Sequence, residues 1–174
     1  KENAEEAAER EIREKALLDP RSIYIEQLAT FSDVDRDPRG RVVAVAYCAL
    51  VPWNSLSEKE RGDSGGAEWI PVSNAKKLAY DHDKVLAAAL KRIRSRITYT
   101  TLLSKLMPDE FTLTELENAY SSILMTQIDK RNFRKKILKL GIVIPLDRKR
   151  EGGAFRPAQL YRFASQKVDE IEIL

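Results

Sequence analysis

The sequence predicts an α+β chain of two domains: a mixed helix-and-strand domain over residues 1–97 and a helix–helix–hairpin domain over 111–174, joined by a connector at 98–110. Three observations predict it. Strand-like apolar runs at 23–28 and 42–51 stand between two segments of helical periodicity in the first half. The second half carries two consecutive helix-start signatures followed by a glycine stop. Charge divides the same way: residues 1–79 hold 12 Lys and Arg against 15 Asp and Glu, net −3, whereas residues 80–174 hold 18 against 12, net +6. The basic half is the candidate for a polyanionic partner.

Residues 1–18 read as an amphipathic helix, with Ala4, Ala7, Ala8, Glu11, Ile12 and Lys15 recurring near helical spacing. Asp19-Pro20-Arg21-Ser22 is a turn, because proline presets its own φ and aspartate accepts from the backbone ahead of it. A strand follows at 23–28. The stretch 33–41, with Asp33, Asp35, Arg36, Asp37, Arg39 and Arg41, is a charged loop; the β-branched run 42–51 favours a buried strand over a helix. Residues 54–66 are polar and glycine-bearing, which predicts a loop, and Glu68-Trp69-Ile70-Pro71 reads as one more short strand. From Tyr80-Asp81-His82 a helix runs to Ile97, with Val85, Leu86, Ala89, Leu90, Ile93 and Ile97 on one stripe. Leu102, Leu103, Leu106 and Met107 make the connector apolar, so it must bury against something.

In the second domain, Thr112 and Glu115 form a capping box, and Phe111 and Leu116 take the flanking positions of a hydrophobic staple. That helix carries Leu113, Leu116, Ala119, Tyr120 and Ile123 inward and ends near Leu124. Asp129 caps a second helix, Ile128 and Phe133 repeat the staple, and Gly141 supplies the stop. Ile142-Val143-Ile144 and residues 158–163 are strands flanking a loop that holds Arg148, Lys149, Arg150, Gly152, Gly153 and Arg156. Helix, helix and hairpin in that order make a winged helix-turn-helix.

With Phe133, Ile137 and Leu140 facing inward, the second helix presents Lys130, Arg131, Asn132, Arg134 and Lys135. Recognition helices read base edges with their N-terminal residues. Arginine pairs bidentately with guanine and asparagine with adenine, so these side chains suit a double-stranded DNA operator. Lys149, Arg150 and Arg156 of the wing suit backbone phosphates, which give affinity without sequence choice. The other reading of the same residues is a solvated basic helix in a protein-interaction module.

Composition narrows the class. The 174 residues are 43% hydrophobic and 33% charged, enough apolar material for a core. A single cysteine, Cys48, excludes a disulfide framework and a cysteine-based zinc site. There is no apolar run long enough to cross a bilayer and no signal-peptide core, so a cytoplasmic protein without membrane attachment is expected. His82 is the only histidine and has no apparent nucleophile or base partner, so no catalytic residue is predicted.

The first helix resembles the Nudix box, Gx5Ex7REUxEExGU with U aliphatic. Glu2 takes the isolated glutamate position, Arg10-Glu11 the following pair, and Ile12 and Leu18 the aliphatic positions. Leu17 stands where the pattern has glycine, and Lys15 where it has its last glutamate. In the family those glutamates hold a divalent metal against a pyrophosphate, as oxygen donors do. An ammonium group has no acceptor and repels magnesium. Glu2, Glu11 and Glu14 are therefore read as vestigial, with no metal site and no hydrolysis.

The ordered set of residues 24–28, Asp35-Arg36-Asp37-Pro38-Arg39-Gly40, Ala79-Tyr80-Asp81-His82 and 156–163 resembles, over nearly the whole chain, the Nudix-related transcriptional regulators of NAD metabolism. The resemblance implies a Nudix α/β/α sandwich, whose N-terminal strands are absent from this chain, followed by a winged helix. It also implies a dimeric repressor of NAD-related or sugar and nucleotide metabolism genes, responsive to ADP-ribose or a similar nucleotide, with no required cofactor. Lys15, Arg36, Arg39, Arg41, Tyr47 and His82 become the candidate effector contacts, guanidinium forks being matched to phosphate oxygens. The competing assignment is that Asp35, Arg36, Asp37 and Arg39 pair among themselves or at a dimer surface. The competing function is an active ADP-ribose pyrophosphatase whose second domain serves dimerisation. Members commonly show a compact Gly-Arg-Pro in the wing, where this chain has Gly152-Gly153-Ala154-Phe155-Arg156-Pro157.

Overall fold

The computed structural model describes residues 1–62, 68–150 and 157–174. They form two compact units, Lys1–Arg92 and Ile93–Leu174.

The first unit opens on α1 (Ala4–Glu11), which starts where Asn3 and Glu6 close a capping box. The Asn3 side chain accepts from Glu5 and Glu6 N–H at 2.9 Å each, and Glu6 accepts from Asn3 N–H at 2.8 Å. The helix widens into a π turn at Ile12–Ala16 and stops at Leu17 in the left-handed region, φ 54°. Asp19 then caps a 3-10 turn, Pro20–Ser22. Strands β1 (Tyr24–Phe31) and β2 (Ala44–Leu50) pair antiparallel, Tyr24 opposite Leu50 and Phe31 opposite Ala44. A bulge between Gln27 and Ala29 takes Leu28 out of the ladder. Its side chain is buried, and its carbonyl accepts from Arg92 at 2.9 Å.

Three expectations for this unit are corrected. The run 42–51 is a strand but not a buried one: Val43 and Val45 are exposed and only Leu50 is buried, because β2 has a single neighbour, β1. The polar stretch 54–66 contains a helical turn, α2 (Glu58–Arg61), built on a Ser57–Glu60 capping box. Residues 68–71 form no strand. The Trp69 indole instead donates to the Glu60 carbonyl at 2.8 Å and stands edge-on to Trp53 at 5.7 Å, and Pro71 leads into a 3-10 turn, Val72–Asn74. The helix from His82, α3 (His82–Tyr99), crosses the boundary at Arg92.

In the second unit, residues 98–110 pack inside the fold. Leu102 and Leu103 of the 3-10 turn Thr101–Lys105 are buried, and Thr101 N–H donates to the Asp169 carbonyl at 2.9 Å. Ile171 and Ile173 N–H donate to the Tyr99 and Thr98 carbonyls, which fixes the tail against the end of α3. Then follow β3 (Phe111–Thr112), α4 (Leu113–Leu124), α5 (Lys130–Leu140), β4 (Val143–Arg150) and β5 (Ala158–Phe163). The sheet order is β3-β5-β4, antiparallel throughout.

The local signatures act as their chemistry dictates. Thr112 and Glu115 close the capping box, Asp129 Oδ1 accepts from Asn132 N–H at 2.7 Å, and Gly141 ends α5 at φ 67°, a conformation that favours glycine. Phe111 and Leu116 are fully buried. Phe111 meets Phe163 at 5.0 Å, joining β3 to β5, and Tyr120 meets Phe133 at 5.2 Å, joining α4 to α5. One correction applies here: Arg148, Lys149 and Arg150 lie on β4 rather than in the loop, because the ladder runs on to an Arg150–Ala158 pair. Gly152, Gly153 and Arg156 lie outside the described residues. Among the described residues, no helix is long and apolar enough to cross a membrane.

Candidate effector and nucleic-acid sites

Around α1, one guanidinium gathers three carboxylates. Arg10 Nη2 lies 2.8 Å from Glu2, and its Nη1 lies 2.9 Å from Glu11 and 3.1 Å from Glu14. Lys15 folds back onto the other oxygen of Glu11. The Arg10 hydrogen bonds hold the Glu2 carboxyl below its ordinary pKa, and Lys15, followed by Arg10, does the same for Glu11. The sequence places Arg10 in the box without marking it as the residue that gathers these carboxylates.

The arginines of the 33–41 loop each have a partner. Arg36 forks onto Asp81 at 3.0 and 2.8 Å, both side chains almost fully buried. Arg39 forks onto Asp37 at 2.9 and 2.7 Å and lies over the Tyr80 ring at 4.9 Å, with most of its side chain in solvent. Arg41 donates to the Ser32 and Asp33 carbonyls at 2.6 and 3.1 Å. His82 is exposed, its ring 5.8 Å from Tyr80. A shallow hollow of about 670 Å³ runs between this loop and the start of α3, lined by Asp33, Arg36, Tyr80, Asp81, Asp83 and Lys84. Tyr47 lies elsewhere. It lines an apolar groove of about 440 Å³ with Ala4 and Ala8 of α1 and Ile12 of the π turn, and that groove also includes Glu11, the partner of Lys15. Of the candidate effector residues, Arg36 lines the loop hollow and Tyr47 the groove, and the two hollows share no lining residue.

Arg39 imposes a titration that can be checked. Its fork and the Arg39 backbone N–H hold the Asp37 carboxyl at a pKa of about 2, well below the ordinary range. A depressed carboxylate stabilises the fold above its unfolded pKa and loses that contribution as pH falls toward the folded value. Carboxyl-carbon NMR should therefore show Asp37 titrating at about 2, and Arg39→Ala, which removes the fork but keeps the backbone N–H, should raise it toward the ordinary carboxylate range without reaching it.

On the second unit, Lys130, Arg131, Asn132 and Lys135 are exposed on α5, and Lys149 is exposed on β4. Among the described residues, Arg131, Lys135 and Lys149 have no ion pair. Arg134 is half-buried: its Nη2 donates to Thr114 Oγ1 at 2.9 Å and lies 3.8 Å from Glu117. Lys130 Nζ lies 3.5 Å from the same carboxylate. Arg150 donates to Glu115 at 2.8 Å, tying β4 to the start of α4, so its fork is partly taken. Thr114 and Glu117 were missed in the sequence. The available signal was that position 117 falls on the buried stripe of Leu113, Leu116 and Tyr120.

Residues 1–89 match the NUDIX domain family. The chain belongs to the NUDIX family. Residues 103–163 of this NUDIX chain further match the NrtR DNA-binding winged helix domain. A curated relative from Acinetobacter baylyi, the ADPR responsive transcriptional repressor NtrR, is 40% identical over 164 residues, covering 93% of this chain and 64% of the relative. The ADP-ribose pyrophosphatase of Methanocaldococcus jannaschii is 38% identical over 85 residues, 49% of this chain and 48% of that protein. The chain thus spans less than two thirds of either relative's length. Among solved structures, Shewanella oneidensis NrtR complexed with a 27mer DNA superposes with a TM-score of 0.81 at 28% identity, covering 94% of this chain and 74% of that one. The fold is a Nudix-like domain followed by a winged helix.

The family implies a divalent metal on α1, and the donor set can be tested against one. Magnesium needs carboxylate oxygens that converge on a point free of positive charge. Here Glu2, Glu11 and Glu14 converge on Arg10, and Glu11 also receives Lys15. Among the described residues, no group of three or more His, Cys, Asp or Glu is arranged to hold a metal ion. In this arrangement the three carboxylates are turned to Arg10 and Lys15 rather than to a shared metal position.

Proposed function

We propose that the chain is a DNA-binding transcriptional regulator, a cytoplasmic dimer that represses NAD-related or sugar and nucleotide metabolism genes. Its NUDIX domain senses ADP-ribose or a similar nucleotide without hydrolysing it. The observation that carries this reading is the α5 surface: Phe133 and Ile137 are buried, Phe133 against Tyr120, whereas Arg131 and Lys135 are exposed with no ion pair among the described residues. That surface lies in the segment resembling a DNA-binding winged helix, and the Acinetobacter baylyi relative is named as a repressor responsive to ADPR.

On the effector side, a diphosphate meets Arg39 first, since its guanidinium is largely exposed while the Arg36 fork is closed by Asp81. Arg39 lies over the Tyr80 ring, and His82 stands against that ring. Binding there alters repression only if the nucleotide binds the DNA-competent and DNA-released arrangements with different free energy.

The second reading is a working ADP-ribose pyrophosphatase. The likeness of half the chain to the Methanocaldococcus jannaschii enzyme favours it, and the cations seated among the α1 carboxylates oppose it.

One experiment separates them. Fluorescence anisotropy on duplexes enriched from a randomised library should give sequence-dependent binding that saturating ADP-ribose weakens about tenfold, a coupling of ordinary size. Chromatography of ADP-ribose incubated with protein and magnesium should show it intact. Steady turnover without duplex binding establishes the hydrolase instead.

A further inference from the structure

Glu117 is an anomaly in α4. It is 3% exposed and sits beside Leu116 and Tyr120, where helical periodicity calls for an apolar residue. A buried carboxylate is costly unless charges or donors meet it. Its Oε2 is buried without a hydrogen-bond partner, and what faces it are two cations from the first turns of α5. Lys130 Nζ stands 3.5 Å from Oε1 and Arg134 Nη2 3.8 Å from Oε2. Lys130 and Arg134 are four residues apart, so they rise from one face of the helix. Arg134 is pinned a second time, by Thr114 Oγ1 at 2.9 Å.

The α5 cations therefore divide into two classes. Arg131 and Lys135 extend into solvent with no ion pair among the described residues. Arg134, and to a lesser degree Lys130, is directed by α4. A mobile cation finds any phosphate and contributes affinity without information. A guanidinium held from behind keeps its remaining donors in one direction, as bidentate recognition of a base edge requires. The fixed negative charge also lowers the attraction of this corner for phosphate, which penalises sequence-independent binding.

We infer that Glu117 is a specificity-determining positioning residue: from α4 it orients Arg134 and Lys130 for base reading and withholds their charge from the phosphate backbone. The inference rests on the proposed DNA-binding reading.

The test uses the whole chain and two probes, duplexes enriched by the wild-type protein from a randomised library and the unselected library itself, each titrated by anisotropy at two salt concentrations. Glu117→Gln, which keeps shape and removes charge, should bind the unselected library about threefold more tightly with a steeper salt dependence, and lose about tenfold in discrimination. Thr114→Val, at an exposed position, should lose discrimination while leaving affinity for the unselected library in place. A purely structural role would weaken binding to both probes in proportion. An unchanged ratio in both variants, or such a proportional loss, overturns the inference. If Glu117→Gln fails to fold by circular dichroism, Thr114→Val decides. If the wild-type chain enriches no sequence, the DNA-binding reading falls and takes the inference with it. Enrichment by the wild type with unaltered variant ratios removes the inference alone.

Discussion

Replacing Arg131, Lys135 and Lys149 together by alanine should lower affinity for every duplex about a hundredfold at moderate salt and flatten the salt dependence. These side chains are exposed and, among the described residues, free of ion pairs, so in the free protein their charge is balanced only by counter-ions. DNA phosphates gain by meeting such groups, because each contact releases a condensed cation from the duplex. The slope of log affinity against log salt should drop by roughly 0.9 for each phosphate that the variant no longer neutralises. The fold should be unaffected: alanine suits α5 at 131 and 135, and at 149, an exposed position of β4, the ladder is held by backbone bonds that alanine keeps. Lys76 and Lys77, exposed in the first unit, are the control, and their removal should leave the slope where it was. A triple variant that binds with unchanged affinity and slope would place the nucleic-acid surface elsewhere.

The helices that carry most of these residues were legible because their determinants are local. A capping box, a staple and a glycine stop act within a few residues, so the sequence of the second unit states where α4 and α5 begin and where α5 ends. The Ser57–Glu60 box of α2 carried the same kind of signal and was overlooked in a polar context. Strand character is a weaker signal, since it depends on neighbours that a linear reading does not supply. Residues 68–71 look like a strand by composition, yet Trp69 is drawn to Trp53 and to the Glu60 carbonyl. Residues 148–150 look like a loop by charge, yet the ladder with β5 extends through them. Least legible were the long-range pairs. Arg36 and Asp81 are 45 positions apart, and nothing local distinguishes their contact from the Arg39–Asp37 pairing two residues apart. The sequence reading therefore grouped candidate effector residues, Arg36 and Tyr47 among them, that line two separate hollows.

Arg36→Met should destabilise the first unit by about 3–5 kcal/mol, the cost of leaving a buried carboxylate without its partner. The pair differs in kind from the neighbouring ones. The Arg36 and Asp81 side chains are 8% and 6% exposed, whereas Lys84 and Asp33, 2.6 Å apart, remain about two-thirds in solvent. An exposed pair contributes at most about 1 kcal/mol, since water and salt screen it. Asp81 stands just before α3, and Arg36 comes from the middle of the charged loop, so the bidentate contact fastens that loop to the start of the helix. Trp53 and Trp69, the only tryptophans and both in the first unit, report on its unfolding in urea without interference from the second. Arg36→Lys should recover little, because an ammonium cannot reproduce two parallel N–H donors. The double variant Arg36→Met with Asp81→Leu should regain most of the loss, since replacing both charges by apolar groups removes the desolvation penalty along with the attraction. Loss below about 1 kcal/mol in the single variant would mean that water reaches the pair. In that case the Arg36 fork would be open to a diphosphate, and the effector would be read by Arg36 as well as Arg39.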